Sequence, residues 1–165
     1  MQDVISELGA LAMGSRLKRM SDAIMRGGAE VYRSNNIDFE PKCFPLFYLL
    51  SKEEVELGIM DIAERLNVSH PAVIQLAKQL EKRGWISSKK SKKDARKRFL
   101  QLTKKGRDFL PQLQAIWADI RALNEQLINN QTTNLLRALE EMEHVYASKS
   151  YAQRMDEFQK SKTEQ

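Results

Sequence analysis

The side chains most suited to binding a charged partner are basic, and they lie close together along the sequence. Residues 87–98, SSKKSKKDARKR, contain seven Lys or Arg and one Asp, a net charge of +6. The whole chain of 165 residues carries a formal net charge of +5, so the rest of it is close to neutral. Charge concentrated in one patch indicates a polyanionic partner, with nucleic acid ahead of an anionic membrane surface. A lysine-rich loop that contacts only solvent is the alternative.

The residue patterns typical of enzymes and metal sites do not occur in this sequence. It contains no nucleophile elbow, no glycine loop that could cradle a phosphate, no HExxH motif and no Ser/His/Asp spacing. The two histidines, His70 and His144, lie far apart, so a dedicated metal site is not expected. We therefore predict that the protein is not an enzyme and has no cofactor.

The cysteine content and the apolar runs both indicate a cytoplasmic protein. The single cysteine, Cys43, excludes an internal disulfide and fits a reducing compartment. Its neighbour Lys42 and a predicted helix start could lower the pKa of the thiol and make it a redox sensor, although a buried, inert thiol is the favoured alternative. The apolar run LGALAMG (8–14) is too short for a signal peptide, and no uncharged run approaches the roughly 20 residues that span a bilayer.

A segment with the periodicity of an amphipathic helix lies directly before the basic patch. Ser69 is suited to be its N-cap and Gly84 to follow its last turn, so a helix is predicted over 69–83. A second helical pattern covers 59–66, and the tight link between the two predicts a helix-turn-helix. One side of the later helix is apolar and is predicted to be core, through Val73, Leu76, Ala77 and Leu80.

The opposite side of this helix is mixed in character and has the width that fits a DNA major groove. Gln75 can pair with N6 and N7 of adenine, whereas Ile74 and Ala72 can pack on a thymine methyl. Lys78 and Lys82 are suited to phosphate. Taken alone, the helix is more simply interpreted as a solvated surface helix, and the adjoining basic segment favours DNA. The predicted DNA-contacting residues of the helix are Ser69, His70, Pro71, Ala72, Ile74, Gln75, Lys78 and Lys82.

After Gly84 the pattern changes from helical to alternating. WISSKK (85–90) and RKRFLQLT (96–103) flank a charged tip, which predicts a two-stranded β-hairpin. A hairpin placed directly after a recognition helix is a wing. Its predicted phosphate-contacting residues are Lys89, Lys90, Lys92, Lys93 and Arg98.

These segments resemble the MarR family of winged helix-turn-helix regulators. DARKRFLQLTKKG (94–106) is similar to that family's Asp-x-Arg…Leu-Thr-x-x-Gly signature. IMDIAERLNVSHPAVIQLAKQLEKRGWI (59–86) is similar to its helix-turn-helix. The resemblance covers the chain in element order: long helix, short helix, two-helix motif, wing and long C-terminal helices.

The resemblance implies a homodimeric transcription regulator, a repressor relieved by a small effector. Such a dimer would read a pseudo-palindromic site in double-stranded DNA through the recognition helix 69–83 and the wing 87–98. Asp94 matches the family's wing carboxylate, which orients an arginine, and Arg96 matches the arginine that enters the minor groove. A rigidly held guanidinium suits a narrow minor groove, where the negative potential is enhanced.

The resemblance also implies an effector site in a crevice between the dimerisation helices and the DNA-binding lobe, where a small aromatic molecule would bind. From their order in the chain, the predicted lining residues are Met13, Phe44, Phe47 and Tyr48. Apolar residues at such spacing are equally typical of an ordinary core, and this alternative stays open.

The sequence departs from the family pattern at a few positions. Ile74 and Ala72 stand where Ser and Thr are frequent, which shifts the expected base preference toward methyl contacts. Trp85 replaces a smaller aliphatic residue, and we expect it to pack the wing onto the core.

The remaining pattern predicts a mainly α fold with a small β-hairpin wing. The spacing of apolar residues predicts one long helix over 4–32, with a weak point at Gly27–Gly28. A short helix with FPLFYLL (44–50) as its buried content follows, and Thr103 is predicted to cap the helix after the wing. The last two helices are predicted over 135–146 and 151–158.

By the resemblance, residues 1–165 form a single MarR-like domain. Residues 36–103 would be its winged helix-turn-helix lobe, with 1–35 and 104–165 as the helical dimerisation region. A different class of function also fits the charge: a dimeric helical protein-interaction module that docks on an acidic partner through its basic wing.

Overall fold

The computed structural model of the protein describes residues 3–90 and 97–163. Four residues predicted to contact DNA lie outside that part of the chain: Lys92, Lys93, Asp94 and Arg96. The chain divides into two compact units, Met1–Gln114 and Ala115–Gln165, which are described in turn. The described elements are helical apart from one small sheet, which confirms the predicted mainly α fold with a β wing.

The N-terminal helix is broken near its start. Helix α1 covers Val4–Glu7, a 3-10 turn covers Gly9–Ala12, and helix α2 covers Met13–Ser34. The prediction of one continuous helix over 4–32 is wrong, because Gly9 takes a φ of +55°, outside the right-handed helical region.

Helix α2 continues through the Gly27–Gly28 pair, so the predicted weak point does not interrupt it. A Cβ atom at Gly28 would lie 3.3 Å from Cγ of Pro41, closer than most side-chain contacts. Pro41 opens the 3-10 turn Pro41–Cys43, which leads directly into helix α3, Phe44–Ser51. Gly28 therefore lets this turn lie against α2.

An aromatic cluster forms the core around α3. Leu46 and Phe47 of α3 are fully buried. The ring centroid of Phe39 lies 5.7 Å from that of Phe47 and 5.6 Å from that of Trp85. Trp85 also stacks on Phe109, with 4.6 Å between ring centroids. As predicted, Trp85 packs the base of the wing onto the core.

Helices α4 (Ile59–Leu66) and α5 (His70–Lys82) form the predicted helix-turn-helix. Asn67 ends α4 with a φ of +50°, a left-handed conformation that Asn tolerates better than most residues. Ser69 is the N-cap of α5, as predicted, and its Oγ accepts a hydrogen bond from the N–H of Ala72 at 3.4 Å. The buried side chains of the two helices are Ile59, Ile62, Ala63, Val73, Ala77 and Leu80.

The wing is part of a three-stranded antiparallel sheet. Strand β2 covers Ile86–Lys90 and strand β3 covers Arg98–Leu102, with Lys90 opposite Arg98. The sequence predicted these two strands. It did not predict β1, Leu57–Gly58, which pairs with the other edge of β3, because two residues are too few to show alternation.

Burial falls along the hairpin from its base to its outer end. Ile86, Leu100 and Leu102 at the base are buried. Lys89 and Lys90, toward the outer end of β2, are exposed. The base of the hairpin therefore belongs to the core, whereas its outer end faces solvent.

Helix α6, Lys104–Asn129, begins against the base of the wing. The N–H of Thr103 donates to the carbonyl of Trp85 at 3.0 Å, and Oγ1 of Thr103 accepts from the N–H of Gly106 at 3.0 Å. Thr103 therefore caps α6, as predicted. A Cβ atom at Gly106 would lie 2.0 Å from the carbonyl oxygen of Trp85, so the close contact between α6 and β2 requires glycine.

The second unit contains the remainder of α6, helix α7 (Leu135–Ser148) and helix α8 (Tyr151–Thr163). Asn134 caps α7 with its side-chain oxygen. Ser150 and Gln153 form a capping box, with reciprocal hydrogen bonds of 2.9 and 3.3 Å, and α8 continues beyond its predicted end. In the described part of the chain, no helix is both long and apolar enough to cross a membrane.

Candidate nucleic-acid interface

Helix α5 has one buried and one accessible face, as its sequence predicts. Val73, Ala77 and Leu80 are at most 1% exposed, whereas Leu76 is only half-buried. Among the residues predicted to contact DNA, the exposed ones are Ser69, His70, Pro71, Gln75, Lys78 and Lys82. Ala72 and Ile74 are half-buried. The accessible face thus combines the amide of Gln75, the partly exposed apolar side chains of Ala72 and Ile74, and the cations of Lys78 and Lys82.

The wing adds cations beside this face. Lys89 and Lys90 on β2 are exposed, and Lys97, before β3, is exposed as well. Lys89 Nζ lies 3.9 Å from a carboxylate oxygen of Glu56, a long and solvent-screened ion pair. These lysines therefore remain available to a polyanion.

Arg98 differs from the other predicted phosphate-contacting residues. Its Nη2 lies 2.9 Å from Oε1 and 3.2 Å from Oε2 of Glu81, and it donates to Oγ of Ser88 at 2.6 Å. The predicted contact with phosphate would need this guanidinium to leave a bonded position, so the structure favours a role inside the lobe. The sequence analysis did not identify Glu81 as a partner of Arg98. A single acidic residue within the otherwise basic and neutral segment KQLEKR (78–83) could have indicated an ion pair.

A second missed ion pair holds the C-terminal end of α5. Arg83 donates to the Asp38 carboxylate at 2.9 and 3.2 Å and to the Asp38 carbonyl at 3.0 Å. Hydrogen bonding to Arg83 lowers the pKa of Asp38 and raises the pKa of Arg83. The guanidinium also lies over the ring of Trp85, 5.7 Å from its centroid. The recognition helix is therefore fixed to the segment before α3.

The four predicted effector-contacting residues have different environments. Phe47 is fully buried in the aromatic core. Met13, Phe44 and Tyr48 are each a little over one third exposed, and the rings of Phe44 and Tyr48 lie 5.5 Å apart. A cleft of about 240 Å³ lies elsewhere in the first unit, between the end of α3, β3 and the start of α6. It is lined by Leu50, Ser51, Glu53, Glu54, Val55, Gln101, Leu102, Arg107 and Leu110.

Cys43 is a buried thiol. Its side chain is 1% exposed, and Sγ lies 3.3 Å from Oε1 of Gln79. Burial raises the pKa of the thiol to about 11, more than the opposing effect of Lys42 and Arg83. This environment favours the inert thiol over the redox sensor.

Potential metal ligands are scattered. Within residues 3–90 and 97–163, no group of three or more His, Cys, Asp or Glu side chains is placed to hold a metal ion. His70 lies exposed at the start of α5, and His144 lies on α7 in the second unit.

An exposed helix face beside a basic hairpin, built on a helix-turn-helix, defines a winged helix-turn-helix domain. Residues 46–97 match the family model described as MarR family. Over these residues the chain is similar to the MarR family, the family whose motifs the sequence resembles.

One named relative and two solved structures are similar to this chain. The transcriptional repressor MprA of Escherichia coli (strain K12) is 33% identical over 106 residues, which cover 59% of this chain and 60% of that protein. The structure of reduced AbfR bound to DNA has a TM-score of 0.66 at 17% identity and covers 90% of this chain and 98% of that one. The heme sensor protein PefR from Streptococcus agalactiae, in complex with heme, has a TM-score of 0.55 at 20% identity. The match covers 82% of this chain and 91% of that chain. These structural likenesses show the fold.

Proposed function

We propose that this protein is a sequence-specific DNA-binding transcriptional regulator, most simply a repressor. The observation that carries this proposal is the exposed face of α5 beside exposed wing lysines. Ser69 caps this recognition helix, and Arg83 ties its C-terminal end to Asp38. Gln75 and Ile74 would contact base edges in the major groove, while Lys78, Lys82 and the wing lysines would contact phosphate.

The comparisons support this proposal without extending to the whole chain. MprA is a repressor by name, and two structures of similar fold, those of AbfR and of MOSR from M. tuberculosis, contain DNA. The aligned part of MprA is 60% of its length, so the activity of the full chain rests on the site described above.

A dimer is part of the proposal, since one recognition helix reads only half of a pseudo-palindromic site. Large apolar side chains lie exposed in the segments 1–35 and 104–165, as expected of a dimerisation region. Leu11 is 85%, Met20 57% and Leu136 59% exposed in the single chain. Apolar surface left open in this way is typical of a protein interface. The segment 36–103 would then be the DNA-binding lobe.

A small effector, a cytoplasmic location and the lack of catalysis complete the proposal. PefR was solved with heme, which supports the idea that regulators of this fold respond to small molecules. Met13, Phe44 and Tyr48 remain the proposed effector contacts. An effector would act by binding unequally to the DNA-competent and DNA-incompetent arrangements of the dimer.

The proposal is tested by selecting random duplex DNA with the purified full chain and measuring binding of the enriched sequence over a salt series. We expect a palindrome whose half-sites lie about one helical turn apart. Weak binding to every sequence, with a steep salt dependence, would contradict sequence-specific regulation. That result would favour the alternative of an acidic protein partner that docks on the basic wing.

Two wing variants separate groove reading from simple charge. Arg96→Ala should weaken binding to the selected duplex by about 1–3 kcal/mol, because Arg96, oriented by Asp94, is proposed to enter the minor groove. Lys93→Ala removes the same charge from the same segment and should cost much less. Equal and small losses in both variants would contradict the proposed role of Arg96.

A further inference from the structure

We propose that Glu81 and Arg98 are a positioning pair that fixes the wing against the recognition helix, so that both elements fit one DNA site at once. This inference rests on the proposed DNA-binding function and assigns two residues to it. Neither residue would need to contact DNA.

The pair joins three elements at one point. Glu81 lies in the last turn of α5, Arg98 begins β3, and Ser88 lies on β2. One nitrogen, Nη2 of Arg98, is within 3.2 Å of both Glu81 oxygens and 2.6 Å from Oγ of Ser88. The contact therefore links the helix that would enter the major groove to both strands that carry the wing.

The pair is placed where it can control the direction of the wing. Arg98 lies opposite Lys90, the last pair of the β2–β3 register before the tip. Toward the base, packed side chains such as Leu100 already hold the sheet to the core. A link at the outer end of the register restrains the part of the hairpin that packing does not reach.

Partial burial gives the pair more than the usual strength of a surface ion pair. The side chain of Glu81 is 24% exposed and that of Arg98 is 36% exposed. Solvent screening is incomplete at these exposures, and a guanidinium loses less conformational freedom than an ammonium for each hydrogen bond it forms.

The sign of the effect distinguishes positioning from general electrostatics. Glu81 is a carboxylate among Lys78, Lys82, Lys89 and Lys90 on a surface proposed to bind DNA. If charge alone mattered, neutralising Glu81 would strengthen DNA binding, because a repulsion with phosphate disappears. If Glu81 positions the wing through Arg98, the same change weakens binding.

The experiment compares Glu81→Gln with Glu53→Gln in the full chain, using fluorescence anisotropy with the duplex selected for the wild-type protein. Glu53 is a matched control: it is also 24% exposed and pairs with an arginine, Arg65, at 2.7 Å. It lines the cleft beside the base of the hairpin, at Gln101 and Leu102, and not the outer end where Arg98 lies. Thermal unfolding of each variant is recorded first, so that any loss of folded protein is corrected for.

We expect Glu81→Gln to weaken DNA binding about three- to fivefold, which corresponds to the loss of a partly exposed ion pair. We also expect the slope of log binding constant against log salt concentration to become shallower by the amount that about one lost phosphate contact causes. Glu53→Gln should bind as the wild type does or slightly more tightly. Arg98→Lys keeps the charge on a shorter side chain that ends before the position of Nη2, and we expect it to behave like Glu81→Gln.

A charge exchange completes the test. Glu81→Arg alone adds positive charge yet should weaken binding, and Glu81→Arg with Arg98→Glu restores both the pair and the original net charge. Recovery of most of the affinity in the double variant would support the inference. Tighter binding by Glu81→Gln, or no recovery in the double variant, would overturn it. Wild-type protein that binds no duplex would instead overturn the proposed function, and the inference with it.

Discussion

Replacing Gly106 by Ala should destabilise the first unit, although alanine is the better helix former. Gly106 lies in the first turn of α6, and its N–H donates to Oγ1 of Thr103. An added Cβ would lie 2.0 Å from the carbonyl oxygen of Trp85 and 3.0 Å from the carbonyl carbon. Both atoms belong to the backbone, so no side-chain rotation relieves the clash.

The size of the effect follows from this distance. Ordinary van der Waals contact begins at 3.4 Å, so α6 and the start of β2 would have to separate by roughly 1.4 Å, the difference between the two distances. Such a shift breaks the 3.0 Å hydrogen bond from Thr103 to Trp85, which contributes about 1 kcal/mol. Overpacking adds about 1–3 kcal/mol, and the helix propensity of alanine returns up to about 1 kcal/mol. The expected net loss is about 1–3 kcal/mol once the full helix propensity of alanine is subtracted.

Gly27→Ala is the matched control, since it makes the same substitution inside α2. Apart from its chain neighbours and the backbone of its own helix, no atom of the described chain lies within 4 Å of a Cβ built at Gly27. Alanine should therefore stabilise the protein by up to about 1 kcal/mol. The free energy of unfolding is measured by urea denaturation followed by circular dichroism. All proteins are measured at one fixed concentration, because the proposed dimer would make stability depend on concentration. If Gly106→Ala is as stable as the wild type, the close contact between α6 and β2 is not the reason for this glycine.

Two further predictions concern titratable groups. Native protein at pH 8 should react very slowly with a thiol reagent such as DTNB, whereas protein in denaturant should react fully. The reason is that Cys43 is buried and that a pKa of about 11 leaves about one thiol in a thousand as the reactive thiolate. Fast labelling of the folded protein would contradict this. Asp38→Asn should lower the free energy of unfolding by less than about 1 kcal/mol, since the Asp38 side chain is 84% exposed. Because pairing lowers the pKa of Asp38, its stabilisation is present above the ordinary carboxyl pKa of 3.8 and lost as the pH falls through the lower folded value. Unfolding curves of the two proteins should therefore converge on acidification, and a difference that grows below pH 3.8 would refute the assignment.

Local signals in the sequence predicted the elements that position the candidate site. Ser69 is followed by a helix with an apolar side, and its capping role depends only on neighbouring atoms. The capping role of Thr103 is local in the same sense. The prediction failed at Gly9, because apolar spacing continues through a glycine whether or not the backbone leaves the helical region.

Contacts between distant residues were not predictable in this way. Glu81 and Arg98 are 17 positions apart, and Asp38 and Arg83 are 45 apart. Charge pattern alone assigned Arg98 to DNA, because a cation in a basic run looks the same whether or not a carboxylate faces it. The role of Gly106 likewise depends on how closely two backbones approach each other. The glycine is part of the family signature, but the sequence alone does not show which backbone lies against it.

The fall in burial along the wing has a consequence for how this protein can change over generations. At the base, a substitution at Leu100 or Ile86 alters a packed interior and would be removed by selection for folding. At the outer end, lysines such as Lys90 make no contribution to that interior, so they can be exchanged freely as far as folding is concerned. Natural variation in the number of phosphate contacts, and so in overall affinity for DNA, should therefore accumulate at these exposed lysines, while the base of the hairpin stays constant.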